Sequence, residues 1–203
     1  VHLSGHRPVD PEAHEAYLRG RYEWNRGTEE GFRQGLRYFE RALEIDPQFA
    51  PAHVGIADCY CQLSSLYMDV REAMPRAKAA AERAVAIDST LASAQASLAY
   101  IRGARDYDWP AAERGFRRAL ELNPSEVTAH QNYGYILVVN GRFDEAADQF
   151  RRAKEIDPLS PFVATMSLFP LNAGRQFDAA IRESEKLLRL APEQFMTRTI
   201  LAQ

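Results

Sequence analysis

The stretch Thr128–Pro158, TAHQNYGYILVVNGRFDEAADQFRRAKEIDP, determines the predicted fold of this chain. In each half of it, apolar or small residues recur at steps of three and four, which is the spacing of one face of an α-helix. Asn140-Gly141 separates the halves, because glycine ends a helix readily in the left-handed conformation. Asp157-Pro158 ends the second half, since the residue before a proline is disfavoured in the helical region. The stretch therefore predicts a hairpin of two helices.

The second half of this hairpin recurs along the chain at a nearly constant interval. Its pattern is a small residue, a phenylalanine, an alanine and a closing proline, separated by three, two and four residues, and the copies keep the spacing with some substitutions. The copies close at Pro47, Ser89, Pro124, Pro158 and Pro192, so the first interval is the longest and the later ones are nearly equal. We predict five hairpins, over residues 11–47, 48–89, 90–124, 125–158 and 159–192, and the truncated first helix of a sixth over residues 193–203. This gives eleven helices.

Residues 1–10 precede the repeats and show no periodicity, so we expect them to form a linker. Because the sequence lacks an initiating methionine, we expect it to be a segment of a longer polypeptide with another domain upstream. Asp10-Pro11 predicts a helix start, with aspartate as the N-cap and proline in the first turn. This first helix is predicted to run to about Trp24, and its partner to cover Phe32–Glu44.

The period and the recurring leucine–glycine, tyrosine, alanine, phenylalanine and proline positions resemble the tetratricopeptide repeat, best between Val127 and Pro158. The resemblance covers about residues 11–203 and implies an all-α fold, a right-handed α-solenoid of stacked helix-turn-helix hairpins. The sequence departs from the family pattern in the fifth hairpin, where Ser167-Leu168 reverses the usual order of a large and then a small residue. Pro170 is expected to interrupt the helix of that hairpin.

Three segments are similar to the repeat regions of bacterial multidomain signalling proteins: Tyr17–Asn25, Asp106–Arg114 and Pro158–Pro161. In those proteins, similar arrays follow a winged-helix DNA-binding domain, a Ser/Thr protein kinase domain or an adenylate cyclase domain. The resemblance therefore implies a sensory or partner-docking role within such a protein.

The second hairpin is eight residues longer than the fourth, measured between equivalent positions of its two helices. The extra residues fall within Leu63–Arg76. Eight residues amount to about two helical turns. They either lengthen the two helices, which then pack on the first unit, or form a protruding loop with a function of its own.

The composition is that of an ordinary globular protein, with 203 residues, 46% hydrophobic and 26% charged residues, and a net charge of −3. No apolar run approaches the roughly 18 residues of a membrane-spanning helix. The slightly acidic balance argues against nucleic-acid binding by this segment, because neutralising phosphates requires a basic face. Cys59 and Cys61 lie two positions apart on a predicted helix and point to different faces, so a reducing compartment is the natural interpretation. We therefore expect a cytoplasmic location.

The sequence contains no motif that predicts an enzyme. His53 and His130 fall at the same position of their repeats, so periodicity explains them as packing or interface residues. No second histidine, cysteine or carboxylate follows either of them at i+4 to complete a metal site. Glycine-rich phosphate loops and nucleophile elbows are absent from the sequence. We expect no catalytic activity, no metal and no cofactor.

Arrays of this family coil so that first helices line a concave groove, which is the expected site of partner binding. The candidate residues are displaced from the packing stripe: Asp58, Gln62, Tyr100, Gln131, Asn132, Tyr135, Met166 and Phe169. The lining contains no lysine or arginine, which argues against the capture of a chaperone's C-terminal carboxylate. It becomes aromatic and methionine-rich toward one end, which suits an apolar peptide or helix. Alternatively, Tyr100 and Tyr135 fill the interior of the superhelix and touch only each other.

Two functions are consistent with these features. The first is a non-catalytic scaffold that binds a peptide or helix of a partner protein, or of a neighbouring domain, in the groove. The second is the regulatory or dimerisation segment of a bacterial signalling enzyme or transcription regulator. The truncated sixth helix favours some self-association, because Phe195, Ile200 and Leu201 lack a covering helix and are expected either to fray or to pack on a second copy.

Overall fold

The computed structural model describes residues 10–190, which form eleven helices and contain no strand. The prediction of an all-α fold is confirmed. The helices are α1 Pro11–Asn25, α2 Glu29–Ile45, α3 Ala50–Leu66, α4 Val70–Ile87, α5 Ala92–Ala104, α6 Trp109–Leu122, α7 Val127–Val139, α8 Phe143–Ile156, α9 Pro161–Met166, α10 Phe169–Ala173 and α11 Phe177–Leu190. The predictions for the linker and for the truncated sixth helix, with Phe195, Ile200 and Leu201, fall on residues 1–9 and 191–203, outside the described residues.

The described residues divide into two compact units, the first ending at Ala94 and the second beginning at Gln95. In the first unit, α1 packs on α2, α3 packs on α4, and α2 also contacts α3. The ring of Phe39 on α2 is fully buried between two glycines. A methyl group added to Gly20 of α1 or to Gly55 of α3 would lie 2.6 Å from this ring. These glycines are therefore required by the close approach of the helices to one phenylalanine.

The second unit repeats this packing with different residues. Its core is built from α5, α6, α7 and α8, where the rings of Phe116 and Tyr133 stack with centroids 5.1 Å apart. Phe150 of α8 is buried, and a methyl group added to Gly134 of α7 would lie 2.9 Å from its ring. A large residue on the second helix thus fills the space left by a small residue on the first helix.

In the fifth hairpin, the large and the small side chain exchange positions between the two helices. Leu168 lies one repeat after Gly134, Ser184 lies one repeat after Phe150, and both are buried. The large side chain has therefore moved to the first helix and the small one to the second, which accounts for the reversed order in the sequence. The first helix of this hairpin is broken into α9 and α10, with Pro170 in the first turn of α10. This confirms the interruption predicted at Pro170.

The extra residues of the second hairpin lengthen its two helices. The α3 helix has 17 residues and the α4 helix has 18, and only Tyr67, Met68 and Asp69 separate them. Asp69 caps α4 by accepting a hydrogen bond from the backbone N–H of Arg71. The protruding-loop alternative is not what the structure shows.

Capping side chains set several helix starts. Asp10 accepts from the N–H of Glu12 at 2.8 Å, as predicted for an N-cap. Thr28 accepts from the N–H of Gly31 at 3.1 Å, so α2 begins at Glu29. The prediction that this helix begins at Phe32 was therefore wrong by one turn.

Left-handed residues occupy four of the turns between paired helices. They are Gly27 with φ 64°, Tyr107 with φ 54°, Gly141 with φ 73° and Arg175 with φ 58°. The prediction of a left-handed glycine after Asn140 is confirmed. At Tyr107 and Arg175, a side chain occupies a backbone conformation that usually favours glycine.

Candidate functional site

Three aromatic rings form a continuous row in the second unit. Tyr100 on α5, Tyr135 on α7 and Phe169 on α10 occupy equivalent positions of successive repeats. The ring centroids of Tyr100 and Tyr135 are 5.9 Å apart, and those of Tyr135 and Phe169 are 6.1 Å apart in an edge-to-face arrangement. All three side chains are partly exposed. We call these residues the aromatic row.

Gln131 and Tyr135 are one turn apart on α7, so their side chains leave the helix on the same side. Gln131 is only 6% exposed. Its Nε2 atom is buried and has no hydrogen-bond partner within residues 10–190. Met166 is half-buried and packs against the same core cluster as Tyr100 and Tyr135. Asn132 is also half-buried.

Polar contacts of Glu113 join α6 to α7 and to the start of α8. Tyr133 donates its hydroxyl hydrogen to Glu113 on α6, with an O–O distance of 2.8 Å. Burial, followed by this hydrogen bond, raises the pKa of Tyr133 to about 12. The same hydrogen bond is the main reason that the pKa of Glu113 is lowered. Arg142 adds an ion pair to Glu113 at 3.3 Å. The hydrogen bond ties α7 to α6, and the ion pair ties the start of α8 to α6.

His53 and His130 have a structural role, as their periodicity indicated, and their hydrogen-bond partners are the feature that the sequence did not predict. The Nε2 atom of His53 lies 3.1 Å from the carbonyl oxygen of Pro47, and that of His130 lies 3.0 Å from the carbonyl oxygen of Pro124. Each histidine therefore bonds the closing proline six residues before it. The constant spacing between the two residue types was the available signal. His130 also lies 2.8 Å from Oε1 of Gln149 through its Nδ1 atom.

Two predicted site residues belong to the first unit. Asp58 on α3 is 6% exposed, and its carboxylate lies 3.9 Å from the guanidinium of Arg21 on α1. Gln62 lies one turn further along α3 and is half-buried. The structure thus places Asp58 in an interhelical ion pair, whereas it brings Tyr100, Tyr135 and Phe169 into one continuous surface.

The two cysteines are buried in the first unit. Burial raises the pKa of the Cys59 thiol and of the Cys61 thiol far above the ordinary value. Both therefore stay protonated at neutral pH, which makes them poor nucleophiles and poor metal ligands.

No cluster of three or more histidine, cysteine, aspartate or glutamate side chains suited to a metal ion occurs in the described part of the chain. Among the same residues, no helix combines the length and the apolar content that crossing a membrane requires.

Comparison with known proteins identifies the repeats. The sequence profile of the tetratricopeptide-repeat family matches residues 103–161, which include all of α6, α7 and α8 and therefore Tyr135, the central residue of the aromatic row. The chain has the tetratricopeptide-repeat fold. The tetratricopeptide-repeat protein TTC0263 of Thermus thermophilus superposes with a TM-score of 0.72 over 94% of this chain and 97% of that protein, at 19% identity. YrrB, described as a tetratricopeptide-repeat protein with an unusual peptide-binding site, gives a TM-score of 0.54 over 97% of this chain and 93% of YrrB, at 20% identity.

The curated relatives that match this chain are much longer than the matched segments. The transcriptional regulator HilA of Salmonella typhimurium is 24% identical over 172 residues, which are 84% of this chain and 31% of HilA. The protein O-mannosyl-transferase Tmtc1 of Drosophila melanogaster is 35% identical over 108 residues, which are 51% of this chain and 12% of Tmtc1. The chain spans about a third of the length of HilA and less of Tmtc1. A tetratricopeptide-repeat fold is typically a non-catalytic scaffold for protein–protein interaction.

Proposed function

We propose that this chain binds a peptide or a helix of a protein partner, or of a neighbouring domain, on the aromatic row of its second unit, and that it has no catalytic activity of its own. The observation that carries the proposal is the uninterrupted contact of Tyr100, Tyr135 and Phe169 across three repeats. Partly exposed aromatic side chains supply large contact areas at low entropic cost, which is why they dominate many protein interfaces.

The surroundings of the row favour an apolar partner segment. Met166 is half-buried beside the same core and offers an adaptable apolar surface. None of the six candidate residues of the second unit carries a charge: Tyr100, Gln131, Asn132, Tyr135, Met166 and Phe169. The peptide-binding site described for YrrB supports this use of the fold, although it is a property of that protein.

The row also has a purely structural interpretation, in which the tyrosines only fill space between the helices. Tyr100 and Tyr135 do touch each other, as that interpretation requires. Both side chains nevertheless remain partly exposed, and Tyr135 extends the contact to Phe169. A filled interior requires neither feature, so the two interpretations differ in what truncation of the rings would do.

A peptide selection would test the proposal. Peptides of about 12 residues would be selected from a random phage library against residues 1–203, and the affinity of the best synthetic peptide would be measured by calorimetry. We expect Tyr135→Ala to weaken binding by about tenfold or more while lowering the stability of the free protein by less than about 1 kcal/mol. Tyr107→Ala is the matched control, because Tyr107 is 70% exposed and lies outside the row.

Unchanged affinity of the selected peptide for Tyr135→Ala and Tyr100→Ala, together with a large loss of stability in both, would assign these tyrosines to the core. In that case, the aromatic row is not the docking surface. Equal losses of affinity in the Tyr107→Ala control would likewise contradict the assignment.

A second candidate function is supported by the similarity to HilA over 84% of the chain. We infer that this segment could serve as the regulatory or dimerisation part of a transcription regulator. Sedimentation equilibrium of residues 1–203 would distinguish the candidates. A concentration-dependent dimer that Tyr135→Ala does not disturb would favour the second function, and a monomer that binds selected peptides would favour the first.

A further inference from the structure

Gln131 leaves a buried hydrogen-bond donor unused. The side chain is 6% exposed, and its Nε2 atom has no partner among the described residues. Burying an amide without a compensating hydrogen bond destabilises a folded protein, so buried amides are nearly always paired. An unpaired donor of this kind is a position at which an acceptor from outside the chain could be gained.

The amide lies beside the proposed docking surface. Gln131 precedes Tyr135 by four residues on α7, which places both side chains on one side of the helix. Ala96 and Thr165 occupy the equivalent positions on α5 and α9, and both are buried. Of these three positions, only Gln131 provides an amide. The side chain therefore supplies one specific polar group one turn from the centre of an aromatic surface.

We propose that the segment docked on the aromatic row is uncharged and offers a carbonyl oxygen, from its backbone or from a side-chain amide, to Nε2 of Gln131. The proposal rests on the docking function proposed above and adds the chemistry of the partner. A carboxylate would also accept this hydrogen bond, but it would lose its hydration beside tyrosine, phenylalanine and methionine side chains with no lysine or arginine among the candidate residues. An uncharged carbonyl carries a much smaller desolvation penalty.

Reaching the partner requires a rotation of the Gln131 side chain. Because the Nε2 atom makes no hydrogen bond within residues 10–190, turning it toward the surface breaks none. Tyr135 and Met166 are both partly exposed, and the unbranched methionine side chain adapts readily to a new neighbour. Hydrogen bonding to the partner then removes the cost of the unpaired donor, so the same group that weakens the free protein contributes to binding.

Two small probes test this chemistry on the chain, residues 1–203, labelled with both 15N and 13C. N-acetyl-leucine dimethylamide presents uncharged carbonyl acceptors next to an apolar side chain, and N-acetyl-leucine presents a carboxylate in place of the dimethylamide. We expect the dimethylamide to shift the side-chain amide resonances of Gln131 and the ring resonances of Tyr135 together. The carboxylate is expected to bind about fivefold more weakly or not at all.

Variants of Gln131 separate binding from structure. Gln131→Leu keeps the volume and removes the unpaired donor, so we expect unchanged or higher thermal stability together with at least about fivefold weaker binding of the dimethylamide. Gln131→Glu replaces the donor with an acceptor and should weaken binding of the dimethylamide further. Gln48→Leu is the control, because Gln48 is exposed, lies in the first unit and is not a candidate residue, so this variant should bind the dimethylamide as the unaltered chain does.

The outcomes distinguish this inference from the docking proposal. If Tyr135 resonances respond to the dimethylamide while those of Gln131 do not, or if Gln131→Glu binds as tightly as the unaltered chain, the inference is overturned and the docking surface stands. Tighter binding of the carboxylate probe would also overturn it. If neither residue responds to either probe at its solubility limit, the result counts against the docking surface as well.

Discussion

Arg175 and Gly141 occupy the same position of successive turns, one repeat apart, and both have a positive φ, 58° and 73°. Arg175 is exposed, and an added methyl group at Gly141 would meet nothing within 4 Å. Space limits neither position, so the left-handed backbone conformation that they share decides which residue type is favoured there. A residue with a side chain loses roughly 1–2 kcal/mol of stability in the left-handed region. Glycine avoids this loss, but its greater freedom in the unfolded chain offsets part of the gain.

We predict that Arg175→Gly raises the free energy of unfolding by about 0.5 kcal/mol and that Gly141→Ala lowers it by about 1 kcal/mol. Urea unfolding followed by circular dichroism would measure both values. A stabilising effect of Gly141→Ala would mean that the left-handed turn is not required at this position.

A graded loss of stability is expected when glycines that face phenylalanine rings become alanine. A methyl group on Gly55 would lie 2.6 Å from the Phe39 ring, whereas one on Gly134 would lie 2.9 Å from the Phe150 ring. We predict that Gly55→Ala costs about 2–3 kcal/mol and that Gly134→Ala costs less, about 1–2 kcal/mol, because its ring has less far to move. Combining Gly55→Ala with Phe39→Leu should recover part of the loss, and the absence of any recovery would contradict the steric explanation.

The stability contributed by Glu113 should depend on pH. The hydrogen bond from Tyr133, and then Arg142 and Arg117, hold the pKa of this carboxyl below its ordinary value of 4.5. The unfolded carboxyl therefore takes up a proton first as the pH falls. The stabilisation is complete at neutral pH and is lost as the pH falls through the folded-state pKa.

We predict that Glu113→Gln lowers the free energy of unfolding by about 1 kcal/mol at pH 7, and that the difference from the unaltered chain shrinks as the pH falls below about 4. Urea unfolding at several pH values would measure this convergence. A difference that stays constant over the whole range would show that the charge of Glu113 is not what stabilises the contact. Tyr133→Phe should reproduce part of the loss at pH 7.

The hydroxyl of Ser184 is fully buried, and its oxygen has no hydrogen-bond partner in the described part of the chain. We predict that Ser184→Ala raises the free energy of unfolding by about 1 kcal/mol, because the unpaired hydroxyl is removed with little change in volume. Ser167→Ala is the control, since Ser167 donates to the carbonyl oxygen of Ala164 at 2.6 Å and gains nothing from the change. Equal effects of the two substitutions in thermal unfolding would contradict the prediction.

Repeat spacing predicted the helix hairpins well because the contacts that shape them are local. The pairing of Gly134 with Phe150, for example, joins two residues of one hairpin and leaves a direct trace in the sequence. The start of α2 was misplaced because the cap at Thr28 lies outside the hydrophobic pattern. In the fifth hairpin, Pro170 indicated an interruption of the first helix. The break at Ser167-Leu168 also depends on packing in which the large residue, Leu168, lies on the first helix and the small one, Ser184, on the second.

The candidate site was predictable only in part. Helical periodicity places Tyr135 one turn from Gln131, and repeat spacing aligns it with Tyr100 and Phe169. Burial of Gln131 and the missing partner of its Nε2 atom depend on side chains from neighbouring helices, which a single sequence does not align. The same holds for the ion pair of Asp58 with Arg21, because it joins two helices that belong to different hairpins.

Phe39 belongs to two hairpins at once, since its ring fills the space above Gly20 of its own hairpin and above Gly55 of the next. Neither hairpin of the first unit can open without exposing this ring to water. Their openings are therefore coupled, and α1 to α4 are expected to unfold as one cooperative group. Amide hydrogens on the two sides of Phe39 should then exchange with solvent at a common limiting rate, although they belong to separate repeats.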